Sequence, residues 1–430
     1  MSRLSELIAE LCPNGVEYKK LGEICEMVTD YTAAGSFADI AKNVQYMREM
    51  DFAQLIRTTD IKSGFSKDGR VYITESAYKY LWRVHLDEPS IILPNVGNCG
   101  EVYYLTPDEL PKEKCALAPN ALLIRSTKIN LKFLYYWFCG VKFQKQLMKI
   151  VSPVGQGKFN KTELKKLSIP LPPLEIQREV VEILDKFAQL TAELTAELQK
   201  RKKQYEHYRD MLLNFTGGGR YDNISQNEPC PSIEWKRLGE IAEIMRGGNF
   251  QKKDFRESGV PCIHYGQIYT RFGIFADKTL TYIDSTVAAK QKFADSGDIV
   301  MAVTSENIDD VCKCLAWIGD EKVAVSGHSA IIKHNQNAKY LAYYFHTSDF
   351  AVQKRKLAHG TKVIEVTPSA LANIEIPLPS LAEQERIVAI LDRFDSLCNS
   401  LTEGLPAEIA LRKKQYEYYR DKLLDFEKAG

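Results

Sequence analysis

The chain has 430 residues, of which 45% are apolar and 26% are charged, and its formal net charge is +1. This composition is typical of a globular protein with two or three domains and excludes a disordered or collagen-like chain. A net charge so close to zero excludes a protein that binds nucleic acid through bulk electrostatics alone.

The ten cysteines lack the spacing of a metal site or of a disulfide framework. No two of them form a Cys-x-x-Cys pair, and the nearest two, Cys312 and Cys314, are separated by one residue. We therefore expect a reduced, cytoplasmic setting and no bound metal. The longest apolar run, near residues 133–139, is too short to span a bilayer, so we expect no membrane role.

The first predicted domain, residues 1–169, contains short apolar runs between turn residues. Such runs occupy residues 55–61, 90–93 and 121–125, and they are flanked by Gly, Pro, Asn and Ser. This pattern is typical of strands and turns. An amphipathic pattern over residues 131–150 then predicts a helix. The domain is therefore predicted to mix α and β structure.

A long helix is predicted within residues 170–216, which open with PLPPLEIQREVVEILDKF and close with RKKQYEHYRDMLLNF. Its apolar stripe recurs at threes and fours, as Phe187, Leu190, Leu194, Leu198, Tyr205, Tyr208, Leu212 and Phe215. A stripe this narrow and this long predicts a partner helix in a coiled coil. The tetrapeptide Thr-Ala-Glu-Leu occurs twice in succession here, at residues 191–194 and 195–198.

The same helical element returns in residues 377–430. The opening block begins again at Pro377 with an offset of 207 residues, and the closing block ends at Phe426 with an offset of 211 residues. The four extra residues are about one helical turn, which a coiled coil can absorb as a stutter. Gly404 and Pro406 fall between the two blocks, and they predict a kink or a break near Gly404.

A second predicted domain, residues 217–376, lies between the two helical elements. Residues 217–231 begin with three glycines and predict a flexible joint, with a plain surface loop or an Ω-loop as the alternative. Residues 233–241 then repeat the entry of the first domain, residues 16–24. The apolar runs that follow match those of the first domain in pattern, although the residues between them diverge. The two domains are therefore predicted to share a scaffold.

Basic residues cluster ahead of each helical element. Seven lysines and one glutamate lie between residues 142 and 166, and a second cluster contains Lys354, Arg355, Lys356, His359 and Lys362. Each cluster alone is typical of a solvated face. Because the cluster recurs in both halves, we favour contacts with phosphates.

Signatures of catalysis are missing from the sequence. The chain contains no GxxxxGK[ST] phosphate loop and no [DN]PP[YF] element of an adenine methyltransferase, and the histidines of the second domain have no partner at ligand spacing. We therefore expect no catalytic residue and no metal ligand in this chain.

The repeated PLPxLxxQxxIxxILDxF-like element, the RKKQYExYRDxLL block and the two divergent domains closely resemble the specificity subunit of type I restriction-modification systems. The resemblance covers essentially the whole chain, and the doubled Thr-Ala-Glu-Leu resembles the spacer repeat of one subset of that family. It implies a mixed α/β (α+β) fold of two pseudo-symmetric target-recognition domains, separated by an antiparallel pair of long coiled-coil helices. The Gly404 and Pro406 segment departs from that pattern and puts a continuous second helix in doubt.

The resemblance also implies partners and cofactors. Each domain is expected to read one half of a bipartite, asymmetric site in double-stranded DNA, and the helices are expected to dock two methyltransferase subunits. Those subunits would carry S-adenosylmethionine and flip the adenine, while motor-nuclease subunits would use ATP and Mg. This chain would bind no cofactor. The alternatives are a coiled-coil scaffold that links two protein-binding domains and a fused modification enzyme, which the missing motifs argue against.

Polar side chains in the two domains are the candidates for reading bases, because base edges are recognised through hydrogen-bond donors and acceptors. In the first domain they are Thr29, Asp30, Tyr31, Arg57, Thr58, Thr59, Asn95, Asn98 and Asn120. In the second domain they are Asn249, His264, Tyr265, Gln267, Tyr269, Thr304, Ser305, Glu306, Asn307 and His328. Lys158 and Lys362, each beside or near a glycine, are candidates for phosphate contacts.

Overall fold

The computed structural model describes residues 3–66, 68–153, 155–215, 233–400 and 404–429. The chain divides into two compact units, of which the first contains Met1–Glu193 with Ala410–Gly430 and the second contains Leu194–Ile409. The joint predicted at residues 217–231 lies outside the described residues.

The first unit contains nine strands and the helices that connect them within its described residues. Its helices are α1 Arg3–Leu11, α2 Leu21–Ile24, α3 Phe37–Asn43, α4 Thr58–Lys62, α5 Glu75–Tyr80, α6 Leu131–Cys139, α7 Val141–Ile150, α8 Lys161–Leu164 and the start of α9 Leu174–Leu213. Its strands are β1 Tyr18–Lys20, β2 Met27–Asp30, β3 Ala53–Ile56, β4 Val71–Ile73, β5 Ser90–Pro94, β6 Tyr103–Leu105, β7 Cys115–Leu117, β8 Ala121–Arg125 and β9 Ser168–Pro170.

The second unit follows with the remaining elements. Its strands are β10 Glu234–Arg237, β11 Ala242–Arg246, β12 Phe255–Arg256, β13 Val260–Ile263, β14 Phe275–Ala276, β15 Thr281–Ile283, β16 Lys292–Ala294, β17 Ile299–Ala302, β18 Thr304–Ser305, β19 Cys314–Trp317, β20 Val323–Val325, β21 Ser329–His334, β22 Ile364–Glu365 and β23 Glu375–Leu378. Its helices are α10 Leu238–Ile241, α11 Tyr265–Thr270, α12 Ser285–Ala288, α13 Ala338–Tyr344, α14 Ser348–Leu357, α15 Pro368–Leu371 and α16 Leu381–Asn399, and α17 Gly404–Leu423 leads back to the first unit.

The two units have matching sheets. The antiparallel sheet β2-β8-β5-β6 of the first unit corresponds to β11-β21-β17-β19 of the second, which adds β14 at its edge. A smaller sheet contains the parallel pair β3 and β7 in one unit and the parallel pair β13 and β20 in the other. The prediction of two domains of mixed α and β structure on one scaffold is therefore confirmed.

Two buried glutamines mark the same tertiary position in each unit. The Oε1 atom of Gln177 accepts the backbone N–H of Asn130 at 2.8 Å, and its Nε2 donates to the carbonyl of Pro172 at 2.7 Å. Gln384, 207 residues later, makes the same two bonds to Asn337 and Pro379. Each glutamine satisfies backbone groups at the start of a helix and before another helix, which explains why a polar side chain is buried here.

An aspartate in each long helical element provides a second matching anchor. Asp185 accepts a hydrogen bond from Tyr136 at 2.6 Å and pairs with Lys132. Asp392 accepts one from Tyr343 at 2.7 Å and pairs with a lysine at the same position, Lys339. Burial, followed by this bond to a carboxylate, raises the pKa of both tyrosine hydroxyls. The helical elements are therefore fastened to both domains by the same contacts.

The long helix predicted in residues 170–216 is confirmed as α9, which has 40 residues. Its first turns bury Ile176, Val180 and Leu184 in the core of the first unit, and its last turns bury Tyr205 and Leu212 in the core of the second. The middle of the helix is less covered, since residues 188–190 are exposed and burial returns only at residue 198. The two Thr-Ala-Glu-Leu repeats thus lie in the part of α9 that contributes least to either core.

The predicted break in the second helical element is confirmed. Helix α16 ends at Asn399, and α17 begins at Gly404, which has a φ of +76°. A Cβ atom there would lie 2.7 Å from the carbonyl oxygens of Ser396 and Leu397, so only glycine fits this turn. Pro406 lies in the first turn of α17, where its missing N–H breaks no helical hydrogen bond.

The helix predicted over residues 131–150 is two helices, α6 and α7, which meet at Gly140 in an extended conformation. The corresponding segment of the second unit is likewise divided into α13 and α14, and Thr347 caps the second of them. Of the run at residues 55–61, only the first two residues belong to a strand, β3, and residues 58–61 belong to α4.

The chain end completes the core of the first unit. The backbone N–H of Val16 donates to the carbonyl of Glu427 at 2.8 Å, and the hydroxyl of Tyr18 donates to the carbonyl of Phe426 at 3.0 Å. Leu424 and Phe426 are buried in the same apolar cluster as α6 and the start of α9. The last residues are therefore structural parts of the first unit.

Candidate nucleic-acid interface

One edge of the larger sheet collects three strand ends in the first unit. Asp30 and Leu93 both pair with Leu122, so the ends of β2 and β5 lie beside the start of β8. Asn95 follows β5 and Asn120 precedes β8, which brings candidates from three distant segments to this edge. Asn120 has a φ of +72°, a conformation that asparagine tolerates in tight turns.

A lysine-containing loop closes over this edge. The N–H of Phe159 donates to the carbonyl of Asn95 at 3.2 Å, and Lys161 donates to the carboxylate of Asp30 at 3.2 Å. Lys158 is exposed on this loop, and Asn98 is exposed on the loop after β5. The edge therefore presents amide and ammonium groups, which suit base edges and phosphates.

Two candidates of the first unit have buried side chains and must be reassigned. Tyr31 is 3% exposed, and its hydroxyl accepts a hydrogen bond from Tyr46 at 3.1 Å. Burial raises the pKa of the Tyr31 hydroxyl. Thr29 is 8% exposed within β2. These side chains stabilise the fold and offer no surface on which a base could rest.

Arg57 is bound within the protein. Its guanidinium makes two hydrogen bonds to the carboxylate of Asp60, through Nε at 2.9 Å and Nη2 at 2.5 Å, and Nη2 also donates to the carbonyl of Gly69 at 3.1 Å. Asp60 is buried, and the Asp60 hydrogen bond holds the pKa of Arg57 above its ordinary value. Of the two threonines that open α4, Thr59 is exposed and Thr58 is half-buried. Arg57 therefore positions the α4 turn, and Thr59 is the accessible member of this group.

We predict that Arg57→Ala lowers the free energy of unfolding by about 2 kcal/mol, because it leaves a buried carboxylate with only its backbone partner. Denaturant unfolding of the full chain measures this change. Arg57→Lys is the matched variant, and it should lose most of the same stability because lysine lacks the planar fork. If Arg57→Ala instead leaves the free energy of unfolding unchanged and alters the DNA motif that is recognised, Arg57 reads a base directly.

The second unit carries an open cavity of about 360 Å³ at the matching sheet edge. It is lined by Tyr265, Tyr269, Thr304, Ser305, Glu306, Asn307, Asp310, His328 and Val363. All of these except Asp310 and Val363 are sequence-predicted candidates. Candidates from three separate segments of the sequence therefore line one cavity, which we call the Tyr265 cavity.

Hydrogen bonds hold the aromatic wall of the Tyr265 cavity in place. The Tyr269 hydroxyl donates to the carbonyl of Thr304 at 2.5 Å, and the Thr304 hydroxyl lies 3.0 Å from Nδ1 of His328. The rings of Tyr265 and His328 have centroids 4.9 Å apart. Burial raises the pKa of the Tyr269 hydroxyl, which therefore remains a donor. The wall is a rigid, partly apolar surface beside polar groups.

The remaining candidates of the second unit do not line this cavity. His264 is 7% exposed, its Nδ1 accepts the N–H of Gly266, and burial lowers its pKa to about 4. Gln267 accepts the His264 N–H at 3.0 Å and donates to Thr281 at 3.1 Å. The backbone N–H of Asn249 donates a hydrogen bond to the side chain of Gln291, and Asn249 itself is exposed. His264 is thus a neutral helix cap rather than a base-reading side chain.

The basic clusters serve several purposes. Lys354 is 6% exposed and donates to the carbonyls of Asp309 and Val311 at 2.7 and 2.8 Å, so it is structural. Lys142 pairs with a carboxylate of the C-terminal segment. Lys362 and Lys158 are exposed and stay candidates for phosphate contacts. Clustering in sequence therefore did not predict one continuous basic surface.

Two residues of these edges, Lys161 and Arg246, were not singled out from the sequence. Lys161 forms an ion pair with Asp30. It belongs to the lysine cluster between residues 142 and 166, but the sequence alone did not distinguish it from the other lysines there. Arg246, at the end of β11, donates to the carbonyl of Gly327 and pairs with Glu365. The equivalence of β11 and β2 could have indicated Arg246, because it ends its strand as Asp30 does.

The described part of the chain lacks two kinds of feature. No group of three His, Cys, Asp or Glu side chains there is placed to hold a metal ion. No helix there has both the length and the apolar character needed to cross a membrane.

Two copies of one mixed domain, each with a polar sheet edge and both fastened to long helices, define a protein with duplicated recognition domains. A family model described as "Type I restriction modification DNA specificity domain" matches residues 13–202 and again residues 232–411. The chain therefore belongs to the type I restriction-modification DNA specificity family.

Individual relatives agree with this assignment. The specificity subunit of a type I restriction enzyme of Escherichia coli is 36% identical over 321 residues, covering 70% of this chain and 72% of that one. A putative specificity subunit of Haemophilus influenzae is 30% identical over 312 residues, covering 70% and 73%. A solved chain, described in terms of complex assembly and conformational transition of the type I system, matches the fold with a TM-score of 0.62 at 18% identity, over 96% of this chain and 98% of its own.

Proposed function

We propose that this chain selects the DNA site of a type I restriction-modification complex and that each unit reads one half of a bipartite site. The observation that carries this proposal is a repeated scaffold with different side chains at the matching edge. The glutamine and aspartate anchors recur at an offset of 207 residues, whereas the edge carries Asn95 and Asn120 in one unit and Tyr265 and His328 in the other. Different edges on one scaffold suit an asymmetric target.

The readers of the first half-site are the exposed residues Asn98, Asn120 and Lys158 of the first edge, with the half-buried Asn95 beside them, and Thr59 in the first turn of α4. The Tyr265 cavity and Lys362 serve the second half-site. Amides can bind adenine bidentately, and lysines contact phosphates without reading sequence. The two edges therefore differ both in shape and in hydrogen-bonding groups.

The helical elements are proposed to set the distance between the half-sites and to dock two methyltransferase subunits. We assign S-adenosylmethionine and the methyl transfer to those subunits, and ATP and Mg to the motor-nuclease subunits. This chain then contributes recognition and no catalytic group. The exposed middle of α9 supports this role. Its residues are buried in neither domain core, so their surface is available to partner subunits.

Base-resolution detection of N6-methyladenine tests the proposal. DNA from cells that co-express this chain with its methyltransferase subunit is compared with DNA from cells that lack this chain. A new two-part motif with a fixed unread spacer is expected. If all proteins are expressed and assembled but methylation is independent of this chain, the coiled-coil scaffold becomes the better description.

A further inference from the structure

Glu306 differs from the other acidic residues around the Tyr265 cavity. Asp310 pairs with Lys313, Asp309 pairs with Arg355, and Glu365 pairs with Arg246. Glu306 lines the cavity, is exposed, and makes no hydrogen bond or ion pair within the described residues. A carboxylate without a partner therefore faces the proposed DNA surface.

Such a group is unfavourable for general DNA binding. Phosphates repel a carboxylate, and most of the affinity of proteins for DNA comes from neutralising phosphates. An ionised carboxylate accepts hydrogen bonds but donates none. In the major groove, the donors that a base can offer it are the exocyclic amines of cytosine and adenine. The charge of Glu306 is compensated only where such an amine is present.

The surroundings of Glu306 fix its position. It directly follows β18, whose two residues pair with β22, and Thr304 in that strand holds both Tyr269 and His328. A hydrogen-bond acceptor that is held in a fixed position discriminates between bases better than one on a mobile loop. A fixed acceptor cannot move to reach an amine that lies elsewhere. The cavity beside it provides room for the edge of a base.

We propose that Glu306 is a specificity-determining residue that accepts a hydrogen bond from the exocyclic amine of a cytosine or an adenine in the second half-site. This inference rests on the proposed function, since it assigns a base contact to one residue of a proposed DNA-binding edge. It also explains why a negative charge stands in this edge without a cation beside it.

The experiment uses the assembled complex of this chain with its methyltransferase subunits and duplexes that carry the motif found by methylation mapping. At each cytosine or adenine of the second half-site, the amine is replaced by hydrogen, with 2-pyrimidinone or purine as the base. We expect about ten-fold weaker binding at one of these positions for the unaltered chain. With Glu306→Ala, that penalty should vanish, and binding to unrelated duplexes should strengthen.

Glu257→Ala is the matched control, because Glu257 is an exposed acid that precedes β13, at the opposite end of that strand from the cavity. It should leave the amine penalty and the motif unchanged. An amine penalty that survives intact in Glu306→Ala overturns the assignment, even if binding to unrelated DNA improves. That result is distinct from failure of the proposed function, in which the unaltered complex would prefer no motif at all.

Discussion

Deletion of residues 195–198 is expected to shorten the unread spacer of the recognised DNA while both half-site sequences stay the same. Four residues are about one turn, so the deletion removes ~6 Å of α9 and approximately preserves its buried face. The edges of both units lie outside the deleted segment, which explains why the half-sites should not change. N6-methyladenine mapping with the methyltransferase subunit present reports the spacer and both half-sites in one measurement.

A length-preserving variant separates the length of the helix from its composition. Ala192→Ser with Ala196→Ser alters two exposed positions of the same segment and keeps all residues of α9. The spacer should then be unchanged. A deletion variant with an altered half-site would contradict the division between recognition by the edges and spacing by the helix.

Replacement of a buried glutamine is expected to destabilise one unit selectively. Gln384 is 0% exposed, accepts the N–H of Asn337, and donates to the carbonyl of Pro379 and to Gln336. Gln384→Leu keeps much of the volume but leaves these groups without their partner. We expect a loss of about 3 kcal/mol in the free energy of unfolding of the second unit.

Hydrogen exchange followed by mass spectrometry measures this loss separately for each unit. Peptides of the second unit should lose protection in Gln384→Leu, and Gln177→Leu should give the opposite pattern. Gln189→Leu is the control, since Gln189 is exposed on α9 and its loss should change stability by less than about 0.5 kcal/mol. Equal loss in both units from either variant would show that the two cores unfold together.

Periodicity and internal repetition predicted the long helix, its duplicate and the break at Gly404, because these depend on residues close in sequence. Apolar spacing defined α9 almost to its ends, and glycine with proline inside the second element marked where helix could not continue. The division of residues 131–150 into α6 and α7 was missed, since a single glycine is compatible with either a helix or a bend.

Prediction of the site was less complete because burial depends on distant partners. The sequence identified Tyr265, Thr304 and His328 as candidates, and the fold brings them to one cavity. It could not reveal that Tyr31 binds Tyr46 in the core or that Arg57 holds a carboxylate and the carbonyl of a remote glycine. Whether an acid pairs with a cation also depends on the fold, and Glu306 differs from its acidic neighbours because it has no such pair within the described residues.

The hydrogen bonds of Val16 and Tyr18 to the chain end have a consequence for biosynthesis. During synthesis the first unit lacks Leu424 and Phe426, and hence part of its apolar core, until the segment after the second unit has been translated. The second unit has all of its residues before that point. The first unit therefore stays incomplete while the whole second unit is synthesised, and truncation between residues 410 and 424 removes core residues of the first unit although the second unit is nearer in sequence.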